Sequence, residues 1–85
     1  MIEGTMAVRS NLRVILSERN TARIRAGLEP VTVRQLAKDM NLSPSVITGL
    51  TSGRAKQVSF ETLDKLCKEL ECTPGDILRF VPESE

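Results

Sequence analysis

Histidine, tryptophan and tyrosine are absent from this chain, and Phe60 and Phe80 are its only aromatic residues. Without histidine, tyrosine or a glycine-rich phosphate loop, the usual general bases and nucleotide cradles are missing. The one carboxylate-rich stretch, Glu61 to Glu71, reads as a solvated helix face, so no enzyme is expected. Two aromatics, both on faces that read as core, disfavour RNA binding by base stacking. Cys67 and Cys72 fall short of the four nitrogen or sulfur ligands that a structural zinc site takes, so neither metal nor cofactor is expected. Cys67 lies on an apolar helical stripe, where a free thiol behaves as a small buried hydrophobe, and Cys72 is read the same way at a helix start. The longest uninterrupted apolar run is three residues, Val14 to Leu16. That is far below the roughly 20 that cross a bilayer, and no charged-then-apolar leader opens the chain. The expectation is a cytoplasmic protein with no membrane contact and no evident small-molecule ligand.

What is present fits one small domain. The 85 residues are 40% apolar and 27% charged, with no low-complexity tract, near the size at which a single core barely suffices. Residues 1–6 are expected to be a disordered start or a cloning remnant, residues 7–81 the domain, and residues 82–85 an acidic tail. The net charge of +1 conceals a dipole. Residues 1–58 carry nine basic and four acidic side chains, a net +5, and residues 59–85 three basic and seven acidic, a net −4. A basic front and an acidic back suit a module that turns one face to a polyanion, although uneven solvation of the surface would give the same split.

Apolar residues recur at helical spacing, and no segment alternates with period two, which predicts an all-α chain of five short helices. Val8, Leu12, Ile15 and Leu16 mark helix one, which starts near Ser10 or Asn11 and either runs to about Ala26 or breaks near Asn20. The other four starts share one pattern, an apolar residue, a Thr or Ser cap, and a second apolar residue five places after the first. The cap accepts an orphan backbone N–H while the flanking pair packs together as a hydrophobic staple. The sets are Val31, Thr32 and Leu36; Leu42, Ser43 and Ile47; Val58, Ser59 and Leu63; and Cys72, Thr73 and Ile77. Gln35 and Asp76 stand three residues after their caps, as capping boxes require, and Pro44 and Pro74 take first helical positions, where a missing N–H loses nothing. Ile77, Leu78 and Phe80 are expected to line helix five.

Only Asn41, Leu42 and Ser43 join helices two and three. So short a connection forces a steep crossing, with a small residue at the contact and a turn residue that tolerates left-handed geometry. Ala37 and Asn41 meet those demands, so TVRQLAKDMNLSPSVITGL reads as a helix-turn-helix on steric grounds. The order T-x-x-Q-L-A, turn, L-S-x-S-x-I-x-x-L, a loop with Gly53 and Arg54, then SFETLDKLCKELECTPGDIL resembles the phage repressor and Cro-like (XRE-type) helix-turn-helix family, over about residues 31–80. The likeness is to its small stand-alone bacterial members.

That resemblance implies a lambda-repressor-like five-helix bundle that binds double-stranded DNA as a small transcriptional regulator, commonly a homodimer, with helix three in the major groove. It implies base-facing positions at Pro44, Ser45, Thr48 and Gly49 and a backbone contact at Val33. The family often carries long polar side chains at the Val33, Pro44 and Gly49 positions, and this chain does not. Ser45 and Thr48 can still meet base edges, and Gly49 lets the helix come close, with shape and water supplying more of the specificity. Thr32, Val33 and Arg34 at the start of helix two, and Ser52, Arg54 and Lys56 in TSGRAKQ, are the expected phosphate contacts. The alternative is a protein-interaction or antitoxin-like module that keeps the fold with weak or no specific DNA binding.

Overall fold

The computed structural model describes residues 6–82. In chain order the elements are β1 (Met6–Ser10), α1 (Leu12–Arg25), α2 (Val33–Met40), α3 (Pro44–Ser52), α4 (Phe60–Leu70), α5 (Pro74–Ile77) and β2 (Leu78–Pro82). Residues 1–5 of the expected start and 83–85 of the expected tail lie outside the described residues.

Five helices are present among the described residues, but the all-α expectation is wrong. β1 and β2 form a two-stranded antiparallel sheet that joins the two ends of the fold, pairing Met6 with Pro82, Val8 with Phe80 and Ser10 with Leu78. Val8 therefore belongs to a strand rather than to the stripe of helix one. Leu78 and Phe80 likewise leave helix five, which stops at Ile77. The cause is a long-range competition for carbonyls. The Asn11 N–H donates to the Ile77 carbonyl at 2.6 Å and its side-chain amide donates to the Asp76 carbonyl at 3.2 Å. A longer α5 would need those two acceptors for residues 80 and 81. Leu78 is already extended, at φ −112° and ψ 133°, and the valines and phenylalanine that follow or face it suit a pleated strand.

The core follows the helical stripes. Leu12, Ile47, Leu66 and Ile77 are fully buried, and Leu36, Ala37, Met40, Leu50, Leu63 and Leu70 complete the cluster. Each large apolar side chain of that kind contributes about 1.5–3 kcal/mol when buried. Val31, Leu42, Val58 and Cys72, the outer halves of the four staples, pack half-buried against the same core as their partners. Phe60 and Phe80 do not join it. They are 89% and 62% exposed, against the expectation that both lie on core faces. Phe60 occupies the first position of α4, where its side chain clears the stripe led by Leu63.

Two of the four expected Thr or Ser caps accept the backbone N–H that the sequence assigns them. Thr32 accepts the Gln35 N–H at 3.1 Å, and Ser59 accepts the Thr62 N–H at 3.0 Å. The Ser43 hydroxyl instead pairs with the Ser45 hydroxyl at 3.0 Å, so α3 starts on Pro44 and its staple without a side-chain cap. At α5 the Asp76 carboxylate accepts the Thr73 N–H at 2.9 Å and the Thr73 hydroxyl at 3.1 Å. Those two bonds hold the Asp76 carboxyl below its ordinary value of 3.8. A group whose folded-state pKa is depressed stabilises the fold above its unfolded value and loses that contribution as pH falls through the folded one. Asp76→Asn is therefore expected to flatten the acid limb of a stability-versus-pH curve below about pH 4, and an unchanged limb in thermal melts would contradict the role of the box.

The helix ends use left-handed residues. Asn41 (φ 57°) and Glu71 (φ 54°) close α2 and α4, and in each case the next N–H reaches back to the helix, Leu42 to the Ala37 carbonyl at 2.8 Å and Cys72 to the Cys67 carbonyl at 3.1 Å. Cys67 and Cys72 are half-buried free thiols. Burial, with Cys67 and Asp76 alongside, raises the Cys72 thiol above its ordinary 9.0, which keeps it protonated near neutrality.

Candidate nucleic-acid interface

α2 and α3 pack across the three-residue turn, and the contact is possible because Ala37 is only 1% exposed and presents no more than a methyl group. Asn41 in the left-handed region turns the chain within one residue. α3 then presents two faces. Ile47 and Leu50 point into the core, while Pro44, Ser45, Thr48 and Ser52 are exposed and Gly49 is half-exposed. The outward surface of this helix therefore carries only small side chains.

The hydroxyls on and beside that surface are not equivalent. Ser45 is shared with Ser43, Thr51 donates to the Thr48 carbonyl at 3.2 Å, and Ser52 donates to the Gly49 carbonyl at 3.3 Å. Among the described residues the Thr48 hydroxyl makes no hydrogen bond, so it is the one most open to an outside partner. The Gly49 carbonyl also receives the N–H groups of Arg54 and Ala55, both at 3.0 Å, after Gly53 reverses the chain at φ 80°. These bonds pin the loop to the last turns of α3 and set where Arg54 leaves it.

The expected phosphate residues fall into separate places. Thr32, Arg34, Lys38 and Pro44 line one depression that crosses from α2 to the start of α3. Ser45, Gly49 and Arg54 line a groove on the other side of α3, together with Gln57 and Ser59. Lys56 turns toward the sheet, beside Val8, Arg9 and Leu78, and is not gathered with Arg54. Val33 is half-buried against the core, so its side chain is spent on packing and only its backbone N–H is left at the helix start. One residue enters that sequence reasoning passed over, Gln57, which shares the groove of Ser45 and Gly49. Arg13 of α1, which by sequence reads as solvated helix charge or, with Arg9, as a basic arm, shares a hollow with Thr51, Ser52 and Gly53. Gln57 lies inside the quoted loop but carries no charge to draw notice, and Arg13 is brought near α3 only by tertiary packing.

The charge dipole acquires a place in the fold. On α4, Lys65 pairs with Glu61 at 3.7 Å and Lys68 with Asp64 at 3.0 Å, both one helical turn apart. Such exposed pairs contribute little to stability, roughly 0.3–0.5 kcal/mol each, but they neutralise the cations of that helix. Arg34, Lys38, Arg54 and Lys56 make no ion pair among the described residues. Part of the positive charge left without an ion pair among the described residues lies around α2, α3 and the loop after it, and the rest lies on Arg13, Arg19, Arg23 and Arg25 of α1 and on Arg79.

Gly49 offers a direct probe of this surface. A Cβ built there would meet only the Ala55 Cβ, at 3.6 Å, an ordinary contact, and the helical φ needs no glycine. Gly49→Ala is expected to raise the stability of the isolated domain by about 0.5–1 kcal/mol, because alanine is the better helix former. If a duplex approaches α3 closely, the same change weakens DNA binding. A variant both more stable in urea unfolding and unchanged in DNA affinity would show that Gly49 serves no close approach.

The helix-turn-helix has counterparts among known proteins. A family model described as the Cro/C1-type HTH DNA-binding domain matches residues 11–83. The uncharacterized HTH-type transcriptional regulator YozG of Bacillus subtilis (strain 168) is 32% identical over 75 residues, spanning 88% of this chain and 77% of that protein. Among solved structures, the crystal structure of transcriptional regulator VanUg, Form II, is similar with a TM-score of 0.62 at 26% identity, covering 96% of this chain and 93% of that one.

Proposed function

The chain belongs to the Cro/C1-type helix-turn-helix DNA-binding family and is a DNA-binding regulator of transcription, and from that premise we propose that α3 enters the major groove of a duplex. The observation that carries the proposal is the small, exposed outer face of α3, flanked by a depression that holds Arg34 and Lys38 with Asp39 beside them and by a groove that holds Arg54. A helix without long outward side chains can seat deeply in a groove about 12 Å wide. Ser45 and the free hydroxyl of Thr48 then reach base edges, and the Thr48 methyl can meet a thymine methyl.

Affinity comes from the phosphates. The open N–H groups and dipole of α2 at Thr32, Val33 and Arg34 suit one phosphate strand, and Ser52 and Arg54 suit the other, which Lys56, facing the sheet, meets by swinging its long flexible stem. Short hydroxyl contacts discriminate less than a bidentate arginine–guanine pair, which is worth about 1–3 kcal/mol. Duplex shape and bridging water carry the remainder of the selectivity.

The proposed active species is a homodimer on a two-fold operator. Its apolar surface is the end of the fold that carries Phe80 and Val81, where Phe80 stands directly opposite Val8, itself 63% exposed. Selection from a random duplex pool tests both readings together. The expected outcome is enrichment of palindromes with half-sites one helical turn, roughly 34 Å, apart. Binding that is absent even at low salt would favour a protein-interaction role for the fold. Binding that is salt-dependent but enriches nothing would overturn base readout while leaving phosphate contact in place.

A further inference from the structure

We infer that Asn20 is a positioning residue for DNA binding, acting through the peptide of Val31 on the start of α2. Asn20 lies in α1, eleven residues before Val31, and its amide holds that residue from both sides. The Val31 N–H donates to Asn20 Oδ1 at 2.8 Å, and Asn20 Nδ2 donates to the Val31 carbonyl at 3.1 Å. Both bonds are partly buried, and together they imitate one rung of a sheet ladder. Asparagine suits this task because one short side chain carries a donor and an acceptor on the same planar group.

The consequence runs along the chain. Val31 is the outer residue of the α2 staple and packs on the core beside Leu36. Thr32, bonded covalently to it, caps α2 through the Gln35 N–H. A second tie from α1, Arg23 Nε to the Glu29 carbonyl at 2.7 Å, fastens the same connection two residues earlier. Residues 26–30 are otherwise exposed and contain Gly27 in the left-handed region, so nothing in their own packing sets the direction in which α2 begins. α1 sets it, and Asn20 is the link nearest the N–H groups proposed to meet phosphate. The inference rests on the proposed phosphate contact of the α2 start.

The test compares the parent with Asn20→Ala, Asn20→Asp, Arg34→Ala and Val58→Ala, each measured for binding to one duplex over a series of salt concentrations. Asn20→Asp keeps the acceptor for the Val31 N–H and loses the donor to its carbonyl, in nearly the same volume. Val58→Ala trims a staple at α4 and controls for a general loss of stability. The expected result is that both Asn20 variants and Arg34→Ala bind about tenfold more weakly at low salt, with the salt slope reduced by roughly 0.9, the equivalent of one phosphate. Val58→Ala should keep the parental slope.

A reduced slope for Arg34→Ala with a parental slope for both Asn20 variants overturns the positioning role alone. A parental slope for Arg34→Ala removes the phosphate reading of α2 and the inference with it. Amide exchange in the parent protein supplies a check that needs no variant. The Val31 and Gln35 N–H groups should exchange at matched rates, as one opening unit, and free exchange at Val31 beside a protected Gln35 overturns the link.

Discussion

Replacing Arg54 and Lys56 together by alanine is expected to weaken binding to every duplex by a similar factor and to reduce the salt slope by roughly 1.8, two phosphates' worth of released counterions. A fourfold rise in salt would then cost the variant roughly tenfold less than it costs the parent. Both side chains are exposed and form no ion pair among the described residues, so their loss should leave stability within about 0.5 kcal/mol. Arg54 is the better fixed of the two. Its N–H and that of Ala55 are tied to the Gly49 carbonyl, which places it beside the groove of α3. Lys56 faces the sheet, and a slope reduced by only about 0.9 in the double variant would mean that Arg54 alone meets the duplex. Thr48→Ala is the complementary change, because it removes a base-facing hydroxyl and methyl without removing charge. It should alter which sequences are preferred more than how tightly the domain holds DNA. A salt slope and a sequence preference both untouched by these changes would place the binding face elsewhere.

Ile47→Ala should have the largest effect on the fold itself, a loss of about 2–5 kcal/mol. Ile47 is 0% exposed and lies directly beneath the outward face of α3, in one cluster with Leu36, Leu50 and Leu66. A domain of this length has a total stability of roughly 4–13 kcal/mol, so the substitution removes much of it and should lower the melting temperature by about 10–30 °C. DNA binding should vanish at a correspondingly lower temperature, while remaining near parental where the variant is still folded. A drop of less than a few degrees in calorimetry would mean that α3 is not held by this side chain, and the packing that aims the helix would have to be reassigned.

The two predictions separate charge from packing, and the sequence was unequally informative about them. The packing was readable because staples and caps are local. Val31 with Leu36 and Val58 with Leu63 are five residues apart, and a Thr or Ser between them meets the free N–H groups of its own helix. No distant residue can alter that arithmetic. Leu42 and Ile47 keep the pattern although Ser43 does not cap, because Pro44 and the staple suffice to start α3. The positions of Ser45, Thr48 and Gly49 on the outer face follow from the same helical spacing once Ile47 and Leu50 are seen to point inward.

The misreadings arose where residues far apart meet. Asn11 stands at the start of α1, as expected of Ser10 or Asn11, but its side chain goes to Asp76, 65 residues away, and its N–H takes the carbonyl of Ile77. Those two hydrogen bonds occupy the carbonyls that a longer α5 would use, and Leu78 to Pro82 pair with Met6 to Ser10 instead, which is why a chain with no visible alternation contains a sheet. Val33 keeps its place at the start of α2, and that its side chain packs on the core, leaving the backbone N–H for any contact there, is set by residues distant in sequence. Lys56 and Arg54 are two residues apart in the loop and face different hollows, a separation set by how the chain leaves Gly53.

By itself, then, the sequence determined the helices, their starts, the tight turn between α2 and α3 and the residues on the outside of α3, since all of these depend on interactions within about five residues. The tertiary structure alone decided the strands, the short α5, the inward turn of Val33, and the clamp of Asn20 on Val31. Each of those depends on which backbone N–H or carbonyl is left unpaired after the helices form, and on which distant group reaches it. A local pattern can show that such a group exists, but only the assembled fold brings its partner within hydrogen-bonding distance.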